Sequence, residues 1–159
     1  MKIHYLFSNR NKWGSKLIAW ASSKQTGCFD EYPSHVAVLI NEKLVVESVF
    51  GRGVRIIPYT KWKQINNEVY KIPCTQKTRS SQEITDEIDR IWGRPYDWKG
   101  IMFFTWAFLG FIIFNKPMPK KNKWQRNSHF FCTEFAGRIA GVNYEMTTPA
   151  KMLSEMLEK

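Results

Sequence analysis

The hydrophobic pattern of this chain changes character at Cys74. Before it, apolar residues come mostly in short β-branched runs bounded by turn residues. After it, they recur every three or four positions. The first pattern reads as strands, the second as helices packed by one face. Strands first and helices afterwards constrain the chain to α+β, with one mainly antiparallel sheet covered by helices. The strands are expected at 3–8, 35–40, 44–49, 54–57 and 68–72. Asn41-Glu42-Lys43 joins the second and third as a hairpin loop, and Pro58 and Pro73 close the last two. Helices are expected at 13–22, with Trp13, Leu17 and Trp20 on one face, and in a short piece around Trp62. Another starts at Ser80 or Ser81, buries Ile84, Ile88 and Ile91, and stops at Gly93. Further helices are expected at 101–114, from Cys132 and from Pro149 to Leu157. At 159 residues, without repeats or low-complexity tracts, residues 1–159 form a single domain in this reading.

Composition narrows the setting. Twenty-four Lys and Arg against 14 Asp and Glu give a formal charge of +10, which favours anionic partners. No Lys/Arg stripe interleaved with stacking aromatics marks one element, so nucleic acid is not the expected partner. Cys28, Cys74 and Cys132 are odd in number and widely spaced, which fits a reducing compartment, the cytoplasm, better than a disulfide framework. The first apolar run is too short for a secretory signal. The cysteines and histidines form no cluster with zinc-ligand spacing, so neither a metal nor another cofactor is expected.

One cysteine and one histidine occupy the elements that thiol chemistry requires. Cys132 opens a helix in which Phe131, Phe135, Ile139 and Val142 recur at helical spacing, and a helix N-terminus favours the thiolate. His35 starts the strand Val36-Ala-Val-Leu-Ile40 and is a candidate base. A third polar group normally fixes the imidazole tautomer. Glu47 interrupts the apolar run Leu44–Phe50 and is the candidate. A three-residue loop pairs Ile40 with Leu44, Ala37 with Glu47 and His35 with Val49, putting His35 and Glu47 on one face as diagonal neighbours. A two-residue loop would turn Glu47 to the other face. The plain alternatives are a small buried cysteine and a structural histidine. Cys28 and Cys74 lack such surroundings. His4 reads as structural, and His129 is a weaker base because it sits on the incoming loop.

These residues also carry a resemblance. Tyr32-Pro-Ser-His-Val-Ala-Val-Leu-Ile, Val45-Val-Glu-Ser, Gly53-Val-Arg, Pro58 and Trp62 resemble the histidine half of the circularly permuted NlpC-type papain-like hydrolases. The nearest group is the YaeF/YiiX-like one, relatives of lecithin retinol acyltransferase. Gly93-Arg-Pro-Tyr-Asp-Trp is similar to the segment that precedes the cysteine helix there. Phe130-Phe-Cys-Thr-Glu-Phe resembles its nucleophile motif, and Thr148-Pro-Ala-Lys-Met its ending. The likeness spans about residues 30–153, and the order His, Glu, Cys, Thr-Pro is its most specific part. It implies a permuted papain-like domain with Cys132 as nucleophile, His35 as base and Glu47 as orienting group. The implied activity is acyl cleavage or transfer at an amide or ester, with peptide, peptidoglycan-fragment or lipid substrates. The amino-terminal part lacks the Gly-Asp-Ile/Val start of many members, so the resemblance assigns no oxyanion-hole partner. The alternative from another class is a non-enzymatic papain-like module that binds an anionic partner or membrane surface through its basic face.

Ile101–Phe114 is uncharged, and Lys116, Lys120, Lys121, Lys123 and Arg126 follow with no acid among them. A spanning helix needs about 20 apolar residues. The segment therefore reads first as a core helix between the sheet and other helices. Residues 101–126 also offer a membrane-surface contact, and the apolar part alone would suit a dimer interface. The sequence fixes no oligomeric state.

Overall fold

The computed structural model describes residues 1–10, 13–26, 31–75, 79–117, 119, 121, 123–124, 128–144 and 146–158. Cys28, Lys120 and Arg126 lie outside them, as do the side chains of Trp13 and Leu17, so the expected face of the first helix is left to Trp20, which is exposed.

Five strands form one antiparallel sheet in the order β4-β3-β2-β1-β5: β1 Ile3–Asn9, β2 His35–Ile40, β3 Leu44–Val49, β4 Gly53–Pro58 and β5 Asn67–Pro73. The helices are α1 Trp13–Gln25, α2 Tyr59–Ile65, α3 Ser81–Ile91, α4 Trp98–Phe114, α5 Cys132–Ala140 and α6 Pro149–Leu157. The fold is α+β. Strand alternation divides the core in two. Tyr5, Phe7, Val36, Val38 and Val46 face Ile84 and Ile88 of α3, Phe135 and Ile139 of α5, and Met152 and Leu153 of α6. Leu6, Ala37, Leu39 and Val45 face Trp62 of α2.

The helix starts follow their local chemistry. The Ser80 hydroxyl accepts from the Glu83 N–H while the Glu83 carboxylate accepts from the Ser80 N–H, a reciprocal cap. Thr148 caps α6 by accepting from the Lys151 N–H, with Pro149 in the first turn, where a missing N–H does no harm. Val142 lies past the end of α5, because Gly141 turns left-handed at φ +81°.

Two expectations need correction. The loop register is the three-residue one, with Ile40 opposite Leu44, but the β2–β3 ladder ends at Val38–Val46. Beyond it, His35 pairs with Ser8 of β1 and Glu47 with Arg55 of β4, so the sheet parts between β2 and β3. Residues 101–114 are not a core helix either. Only Gly100, Phe103 and Phe108 of α4 are buried, whereas Trp106 is 72% and Ile113 63% exposed. The segment is apolar all round, and the core had no remaining face to cover it: α3, α5 and α6 already occupy one side of the sheet and α2 the other.

Candidate active site

His35 is the first residue of β2, at the place where the ladder to β3 has ended. Cys132 is the first residue of α5, preceded by Phe131 in extended conformation. Both α5 and its cysteine belong to the α3–α5–α6 face, while Glu47 hydrogen-bonds Trp62 on the α2 side. The parted strands let His35 interact with both.

The His35 Nε2 lies 2.8 Å from Glu47 Oε2. This leaves Nδ1 for the thiol of Cys132. Burial alone would depress the imidazole; its interaction with the Cys132 thiol and its hydrogen bond to Glu47 outweigh that and push it up to about 9. His35 is therefore a cation near neutral pH. Glu47 is fully buried, which alone would raise a carboxyl. Hydrogen bonds from His35 and Arg55 reverse this and hold it at about 2. Its carboxylate accepts from Arg55 Nε at 2.9 Å and Trp62 Nε1 at 3.1 Å, and Arg10 stands 3.8 Å away. A buried carboxylate needs this many partners to remain ionised.

The expected triad residues thus come together. His129 instead bonds Ser128 through Nδ1, and Cys74 is buried beside Tyr5 in the core. Sequence reasoning missed the support around Glu47. Arg55 had appeared only within the family-like pattern, Trp62 there and as the marker of a short helix, and Arg10 not as a site residue at all. An arginine directly opposite a glutamate in the β3–β4 hairpin is the signal that could have found Arg55.

Tyr96 was missed too. It lies beside Cys132, and burial together with the negative charge that Cys132 and Asp97 can carry raises its hydroxyl well above the usual range. Its segment is pinned from two sides. The Val54 N–H donates to Arg94 O, and the Phe130 N–H donates to Pro95 O. Gly53 makes room for this: at φ +68°, a Cβ there would stand 2.2 Å from Arg94 O. The Ser48 hydroxyl donates to Phe130 O, fixing the approach to α5.

Compared with protein-family models, with curated proteins and with solved structures, the chain gives no match.

Proposed function

We propose that the chain is a cysteine hydrolase or acyltransferase acting at an amide or ester, built as a permuted papain-like domain and working in a reducing compartment such as the cytoplasm. The observation that carries this reading is His35, held by Glu47 through one nitrogen and set against a cysteine that opens a helix. An imidazolium and a helix N-terminus both favour the thiolate. Cys132 Sγ attacks the carbonyl carbon, and the C=O π electrons move to oxygen. Backbone N–H groups at the start of α5 receive that oxyanion. The tetrahedral intermediate collapses as His35 delivers its proton to the departing amine or alkoxide, leaving a thioester. Water, or another acceptor, then gives its proton to neutral His35 and attacks the thioester carbon. Collapse releases the acid or acyl product and returns the Cys132 thiolate beside the His35 imidazolium. Glu47 keeps the imidazole oriented and its cation stable throughout.

Alkylation by iodoacetamide, followed residue by residue across pH, tests the nucleophile. Cys132 should react ahead of Cys74 at neutral pH, and His35→Ala should abolish that advantage. Equal, slow labelling of all three cysteines would sink the reading. Peptide, peptidoglycan-fragment and lipid-ester libraries screened on wild type against Cys132→Ala would then identify the bond.

A further inference from the structure

Trp98, Met102, Trp106, Leu109 and Ile113 of α4 are all exposed. At 100° per residue they fall within about 80° of one another, a single stripe along a helix about 25 Å long. The opposite side holds α4 to the protein. Phe103 packs on Trp124 with ring centres 5.5 Å apart, Phe104 on Phe131 at 6.4 Å, and Phe108 is buried. One side of α4 is thus anchored and the other is exposed apolar surface, its Trp98 end packed edge-on against Phe50 at 4.4 Å.

The exposed charges on α4 and on the segment after it have one sign, whereas Asp97, its cap, is buried. Lys99 lies at the margin of the stripe, and Lys116, Lys121 and Lys123 follow the helix, all exposed. From Trp98 to Thr133 the sequence contains no Asp or Glu. A large exposed apolar face rimmed by cations is the mark of an interaction surface. A second copy would bring the same lysines, on a chain of charge +10, against themselves. A phosphodiester backbone would meet the lysines but leave Met102, Leu109 and Ile113 in water. An anionic bilayer satisfies both features.

We propose that α4 docks in the surface of an anionic phospholipid membrane, its stripe at the acyl boundary and its lysines among the headgroups. It lies along the interface, since its other side is packed on protein and no helix among the described residues is long and apolar enough to cross a membrane. The proposal stands apart from the catalytic reading, so binding is measured on Cys132→Ala as well as on wild type. Both are sedimented with phosphatidylcholine vesicles with and without phosphatidylglycerol. Both should partition onto the anionic vesicles at least about tenfold better, and added salt should weaken this. A Trp106→Glu/Leu109→Glu variant and a Lys116→Glu/Lys121→Glu/Lys123→Glu variant should each lose about tenfold or more, with unchanged circular dichroism. Three results overturn the proposal: no preference for phosphatidylglycerol, undiminished binding by the stripe variant, or a dimer in light scattering that the stripe variant abolishes, which would make a second copy the occupant.

Discussion

Glu47 is fully buried yet ionised, because His35, Arg55 and Trp62 donate to it and Arg10 stands close by. Removing it would leave those cations facing a buried gap. Breaking a buried pair costs about 3–5 kcal/mol, and the low end applies here because both arginines retain some solvent contact. Glu47→Ala should therefore unfold about 3 kcal/mol more easily in urea and lose most of the Cys132 reactivity. Glu47→Gln should stay folded with reactivity reduced. A stability loss below about 0.5 kcal/mol in Glu47→Ala would mark an ordinary surface position instead. The two shifts also set a pH window. Glu47, depressed to about 2, contributes stability in full above the usual carboxyl value of about 4.3 and loses it as pH falls towards 2. His35, raised to about 9, contributes in full below about 6.5 and loses it as pH rises through 9. Urea midpoints should peak between these limbs, and Cys132→Ala should move the alkaline limb to lower pH. An unmoved limb would detach the thiol from His35. Glu47 was legible in the sequence because a carboxylate interrupts an apolar run. Arg10, Arg55 and Trp62 were not, since they reach it from the loop after β1, from β4 and from α2, and only Arg55 is a ladder neighbour.

At the scale of elements, the strands and helices were readable because period and punctuation agree. Ser80, Gly93, Thr148 and Pro149 are local signals with local mechanisms. The parting of β2 from β3 has no such signal: it lies where α5, far away in sequence, packs against both strands. The exposure of α4 was misread for a related reason, as an all-apolar segment does not say which of its faces the fold can cover. Leaving a Leu, Ile or Phe in water forgoes about 1.5–3 kcal/mol each, so the stripe is a substantial departure from a stability optimum. The contact of Gly53 with Arg94 is where one element places another. Gly51→Ala and Gly53→Ala compare two left-handed glycines, at φ +75° with nothing within 4 Å and at φ +68° against backbone. The first should cost about 1 kcal/mol from conformation alone. The second should cost at least about 2 kcal/mol more and weaken Cys132 alkylation, because it displaces Arg94–Tyr96. Equal losses in stability would make the close approach irrelevant.

At the scale of the whole molecule, an aromatic contact links α4 to the residue that precedes Cys132. Phe104, on the packed side of α4, meets Phe131, the residue immediately before Cys132. A membrane held against the exposed side of α4 would lie about one helix diameter, roughly 10–12 Å, from that contact, while Cys74 is buried in the core. This geometry makes a prediction that needs no substrate. A lipophilic maleimide dissolved in anionic vesicles should label Cys132 severalfold faster than the same amount of reagent in buffer with phosphatidylcholine vesicles. Cys74, assigned by peptide mass spectrometry, should gain nothing. The Trp106→Glu/Leu109→Glu variant should keep its reaction with water-soluble iodoacetamide, since neither residue touches the His35–Glu47 pair, and should lose the vesicle effect. If anionic vesicles accelerate Cys132 and Cys74 alike, the lipid acts by loosening the fold rather than by docking it. If the variant retains the full acceleration, the membrane reaches the thiol by a face other than α4.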